Sequence, residues 1–191
     1  MLEVLALVTA LQSQPAITSR QAEVVAADSI VVEGRRLRLW GLAAPAPGAL
    51  CADDGGEPYA CETAAREVLT EEIVRTREAL EFLAGQIHRQ YADTPSLTCE
   101  ILGVDDDGVD LARCHALNPS CIPQQVECTD NRIDLAEELI SLGLGAQRRA
   151  LSSGAYDEAE YSACVSELGA WGVPDGAGVA RRHEAIADCA D

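Results

Sequence analysis

The chain contains no lysine: its 14 cationic side chains are all arginines, set against 32 carboxylates for a formal charge of -18 at pH 7. Binding to a nucleic-acid backbone depends on clustered cations that displace counterions, so this balance argues against a general grip on DNA or RNA. A field of that sign also slows the approach of any polyanion. The one dense cationic patch is Arg35, Arg36 and Arg38. Aromatics are scarce too, with one Phe, two Trp and four Tyr, so aliphatic side chains and alanine must fill the core. The apolar run from Leu2 to Leu11 falls short of the roughly 20 residues of a spanning helix. No two cysteines have the C-x-x-C spacing of a zinc knuckle or a redox dithiol, and His88, His115 and His183 stand at no metal-ligand spacing from a cysteine pair. Neither a metal nor another cofactor is expected.

What is present is a chain of 191 residues with 48% apolar side chains, enough to bury one domain core. Eight cysteines, an even number, point to an oxidising compartment and a disulfide framework. They are Cys51, Cys61, Cys99, Cys114, Cys121, Cys128, Cys164 and Cys189. Sequence alone permits about 105 pairings of eight cysteines. The acidity has a plain reading as a solubility device.

Residues 1–20 are an apolar amino-terminal segment with three competing interpretations. It is a signal peptide with a misplaced start, an interfacial anchor touching a membrane through residues 1–15, or a short helix docking on a partner. Glu3 stands where a basic n-region belongs, and no clean cleavage site follows. Residues 21–172 are expected to form the domain, and 173–191 a tail tied back by a cysteine.

Within the domain, alternation predicts strands at 22–26, 29–32 and 35–42, with Glu33-Gly34 as a hairpin turn. In the third strand Arg36 and Arg38 share one face, and Leu37 and Leu39 the other. A Pro, Gly and Asp-rich loop spans 45–58. Helical spacing of Ala65, Leu69, Ile73, Leu80, Leu83 and Ile87 predicts a long helix from Glu62 to Gln86. Strands at 97–104 and 109–116 flank Asp105-Asp106-Asp107-Gly108, and 118–131 is an irregular loop. Helices follow at 133–142, closed by Gly143, and at 155–168.

Arg36 to Ala46 reads RLRLWGLAAPA. With LCADDGGEPYACETAAREVL, the strand pair ending DLARC, LAEELISLGLGAQ and the YDEAEYSA and GAWG segments in order, it resembles the staphylococcal-nuclease-like (thermonuclease) family over Glu23 to Gly172. The resemblance implies an α+β fold built on a five-stranded OB-type barrel with carboxy-terminal helices. It implies that Arg77 to Pro95 is an insertion. It also implies disulfides Cys51–Cys61 and Cys99–Cys114, leaving Cys121 with Cys128 and Cys164 with Cys189.

The family chemistry uses a carboxylate to activate water, two arginines to neutralise the phosphoryl oxygens, and a calcium ion held by two aspartates. By resemblance Asp28 and Arg38 are retained from that set. The base position falls on Ala46, one calcium position on Ala43, and the second arginine on Val109. Losing either role alone costs a factor of about 100 to 1,000 in rate. The expectation is therefore an inactive nuclease-like protein, extracytoplasmic, acting as an accessory subunit with protein partners in a membrane-associated complex. The alternative is a calcium-dependent phosphodiesterase acting on DNA or RNA with relocated acids, drawn from Asp53, Asp54, Glu57 or Asp105 to Asp107. Trp40 is expected in the core or at its rim.

Overall fold

The computed structural model describes residues 16–86, 89–121 and 131–173. The first part is strand-rich: β1 Ile17–Ser19, β2 Ala22–Ala26, β3 Ser29–Val32, β4 Arg35–Leu39, β5 Leu42–Ala43, β6 Leu50–Ala52 and β7 Pro58–Ala60. Helix α1, Cys61–Gln86, leads to β8 Leu97–Val104 and β9 Asp110–Leu117. The remainder is β10 Arg132–Asp134, α2 Leu135–Ser141, β11 Ala146–Gln147, α3 Arg149–Ser152 and α4 Asp157–Val165.

The expected α+β composition holds, but the strands do not pair into a closed five-stranded barrel. They form an open seven-stranded sheet in the order β1-β8-β9-β4-β3-β2, with β10 added on β9. The physical reason lies at Arg20-Gln21, where the first strand breaks. Its leading part, β1, pairs with β8, while its trailing part, β2, pairs with β3. The two ends of the path are thus consecutive in sequence, with no ladder between them.

The β3–β4 hairpin turns through Glu33 (φ 51°) and Gly34 (φ 76°), two positive-φ residues in a two-residue loop, the geometry that suits strand twist. Ile30, Val32, Leu37 and Leu39 point into the core, with at most 1% exposure. The predicted strand at 35–42 ends earlier, at Leu39. Gly41 adopts φ +75°, and a Cβ there would lie 2.7 Å from the Tyr156 ring, so the chain must turn at a glycine. Beyond it β5 leaves the main sheet and pairs with β11.

Helix α1 lays Ala65, Leu69 and Ile73 on the sheet core, and its later turns bury Leu80 and Leu83 against Tyr91 and Leu117 as a satellite cluster. The expected insertion is thus mostly more helix, followed by a 3-10 turn at Arg89–Asp93. The helix expected at 133–142 is shorter, because 132–134 pairs with β9 as β10 and Asp134 then caps α2. The helix expected at 155–168 is confined to Asp157–Val165, with α3 as a separate turn before it.

Cys51–Cys61 and Cys99–Cys114 are disulfides, as the resemblance implied. Cys121 and Cys164 are also disulfide-bonded. Cys128 and Cys189 lie outside the described residues, as do the apolar segment at 1–15 and the tail from 174. The disulfides fit an oxidising, extracytoplasmic setting. Among the described residues no helix is long and apolar enough to cross a membrane.

Candidate functional site around Arg38

Arg38 sits on β4 with its side chain on the face opposite Leu37 and Leu39, 21% exposed. Two turns converge on it. The β2–β3 turn brings Asp28, whose Oδ2 lies 3.5 Å from Arg38 Nε. The β8–β9 turn brings Asp105, hydrogen-bonded to Arg38 Nη1, and Asp107, with Oδ2 at 3.3 Å. The parallel pairing of β4 with β9, Leu37 opposite Asp110 and Arg38 opposite Leu111, places that second turn there.

The acids are themselves held. Asp28 accepts from the Ser29 hydroxyl at 2.7 Å. Asp105 Oδ1 accepts from the backbone N–H groups of Asp107 at 2.9 Å and Val109 at 2.8 Å. Burial pushes the Asp105 carboxyl up, but the Val109 N–H, the Arg38 guanidinium, the Asp107 N–H and nearby Arg148 outweigh it, so its pKa falls below the ordinary value. Arg35 is likewise engaged, with Asp110 at 2.5 Å. The cationic patch legible in the sequence is therefore largely neutralised from within.

None of the three positions expected to have lost function carries an ionisable side chain. Ala43 is on β5, paired with Ala146 of β11. Ala46 is exposed in a turn, its carbonyl accepting from the Ala49 N–H at 2.9 Å. Val109 closes the β8–β9 turn, its N–H donating to Asp105. A calcium ion does not fit these residues: of the two expected aspartate positions only Asp28 carries a carboxylate, and the Arg38 guanidinium stands between it and Asp105. Among the described residues no group of three or more His, Cys, Asp or Glu side chains is arranged to hold a metal.

Of the acids considered as substitutes, the structure brings Asp105 and Asp107 to Arg38. Asp53, Asp54 and Glu57 stay on the β6–β7 loop, where Asp53 Oδ1 accepts from the N–H groups of Gly55 and Glu57, each at 2.9 Å. Arg148, close enough to Asp105 to lower its pKa, is a neighbour that local sequence did not flag. Its N–H donates to the Gly41 carbonyl at 2.7 Å, so the turn after β4 anchors it there.

A second polar centre, also missed, gathers around Asp134. Asp134 accepts from the Ala136 N–H at 3.0 Å, from Arg113 Nε at 2.7 Å and from the Tyr156 hydroxyl at 3.0 Å. Arg113 stands 5.8 Å from the centroids of both Trp40 and Tyr156, and those two rings meet edge to face at 6.0 Å. Burial, then the Asp134 charge, pushes the Tyr156 phenol far above its ordinary pKa. It therefore works as a neutral hydrogen-bond donor. Trp40 is occupied by protein groups, as its expected place at the core rim required.

No family model matches the chain, and no curated protein matches it.

Proposed function

We propose that this protein is a catalytically inactive relative of the staphylococcal-nuclease-like family, retained as an extracytoplasmic accessory subunit that binds protein partners. The observation that carries the proposal is the state of Arg38. A guanidinium that must clamp a phosphoryl group has to present free charge, whereas this one is met by Asp28, Asp105 and Asp107. With alanine at 43 and 46, water activation has no carboxylate at the family position. In the same proposal the open sheet is a gapped OB-type barrel, whose two end strands, β1 and β2, follow one another directly in sequence across the break at Arg20-Gln21 without a ladder between them.

The test is plasmid nicking by purified, oxidised protein with calcium. The expected outcome is no cleavage above a metal-free control. A second reading is favoured by one observation: Asp105 and Asp107 meet Arg38, and Arg148 lies close to Asp105, so relocated acids and a second arginine are at hand. It requires calcium-dependent phosphodiester cleavage that disappears in Arg38→Ala. That result would replace the proposal.

A further inference from the structure

A groove of about 460 Å³ lies away from Arg38, between α1, the β6–β7 loop and the segments that follow α2 and α4. Its apolar floor includes Ala64 and Val68 of α1, with Leu142 and Leu168 opposite. Asp53, Asp54 and Tyr59 form the other side. Burial pushes the Tyr59 phenol up, and the carboxylates of Asp53 and Asp54 push it further, so both charges lie close to that hydroxyl. Asp53 spends Oδ1 on the turn of its own loop.

The walls are fastened on every side. Cys51–Cys61 ties the loop's first strand to the start of α1. The Ala52 N–H donates to the Gly169 carbonyl at 2.9 Å, linking that strand to the segment after α4. The Ala170 N–H donates to the Gly143 carbonyl at 2.9 Å, joining the ends of α2 and α4. That junction needs two glycines: a Cβ on Gly143 would lie 2.1 Å from the Leu168 carbonyl oxygen, and one on Gly169 2.5 Å from that of Gly143. A groove built from covalent and backbone ties keeps its shape without a ligand, which lowers the ordering cost of binding.

We infer that this groove is a docking site for a partner segment that carries an aliphatic side chain flanked by lysine or arginine, such as one face of a basic amphipathic helix. The aliphatic group fills the floor, and the cations meet Asp53 and Asp54. Charge complementarity selects this occupant: an acidic rim on a chain of net charge -18 draws cationic partners and repels anionic ones. The inference rests on the accessory-subunit proposal and names the partner chemistry for it.

The probe is a short fluorescein-labelled helical peptide of leucine and lysine, titrated by fluorescence polarisation into the full-length oxidised protein. Two controls are the same peptide with serine for leucine, and with glutamate for lysine. The expected result is saturable binding of the first peptide alone. It weakens by about tenfold or more in the Asp53→Asn/Asp54→Asn double variant, which keeps a side-chain oxygen for the turn, and in Val68→Glu. Equal binding of the leucine and serine peptides, indifference to the double variant, or no binding would each overturn the inference. So would binding that requires deletion of residues 174–191, since the occupant would then be the chain's own tail. Calcium-dependent nuclease activity would overturn the inactive-enzyme proposal and leave the peptide result standing on its own.

Discussion

Replacing Asp134 by alanine removes three hydrogen-bonded interactions at once, besides a longer contact with His115 Nε2 at 3.8 Å, and the sizes of the three can be worked from the structure. The first is the amino-terminal cap of α2, from Asp134 Oδ1 to the Ala136 and Glu137 N–H groups, worth about 1 kcal/mol. The second is the acceptor for the Tyr156 hydroxyl, on a residue only 1% exposed. A buried donor left without a partner costs about 1–3 kcal/mol. The third is the carboxylate partner of Arg113, whose side chain is 36% exposed, so solvent screening limits that loss to about 1 kcal/mol or less. The three share one side chain and do not add strictly, which gives a loss of about 2–5 kcal/mol, a large part of a typical domain stability of about 5–15 kcal/mol. Guanidinium unfolding of the oxidised protein should show the midpoint falling with an unchanged slope. Tyr156→Phe leaves the cap and Arg113 intact and should cost only about 1 kcal/mol. A loss below about 1 kcal/mol for Asp134→Ala, or equal losses for the two variants, would refute the idea that Asp134 joins three elements.

Burial, then the Glu72 and Glu137 charges, raises the Glu138 carboxyl against the opposing pull of Arg75. Its contribution is complete below the ordinary carboxylate pKa and is lost as pH rises through the raised folded value. Glu138→Gln should therefore unfold at higher urea than wild type near about pH 7, with the gap closing near about pH 4. Asp105 has the opposite sign: its lowered pKa supplies stability above the ordinary value that disappears as pH falls through the folded one. Asp105→Asn should be less stable than wild type near neutral pH and indistinguishable from it near about pH 2, by thermal melts across that range. Gly143→Ala forces a side chain into φ +66° against the Leu168 carbonyl and should cost at least about 2 kcal/mol by the same unfolding assay. Replacing Cys99 and Cys114 by serine opens a crosslink spanning 15 residues, with an expected loss of about 3 kcal/mol in denaturant midpoint analysis.

Much of the fold was legible because it is written locally. The alternation around Ile30, Val32, Leu37 and Leu39 set the strand faces, Glu33-Gly34 set the hairpin, and the spacing from Ala65 to Leu83 set α1. Elements of two or three residues, such as β1, β5 and β11, are too short to carry a period, and they emerge only from pairing with distant strands. The same limit applies to the site. Sequence placed Arg38 on an open strand face and counted Asp105 and Asp107 as turn residues. That they meet depends on the β4–β9 register, a relation between segments far apart in the chain. The contacts of Arg113 with Trp40, Tyr156 and Asp134 are equally non-local, so each residue looked ordinary on its own.

The side-by-side parallel alignment of β4 and β9 has a kinetic implication. Arg35 and Asp110, ion-paired at that seam, are 75 residues apart in sequence, and α1 must be accommodated in the intervening loop before they can meet. Hairpins β3–β4 and β8–β9 close over short distances and form readily, whereas the seam between them carries the larger entropic toll of loop closure. Loop-closure entropy therefore predicts that docking of the two hairpins is the late step of folding. Without that docking Arg38 lacks two of its three counter-charges, so an undocked chain presents a cation that the finished protein neutralises.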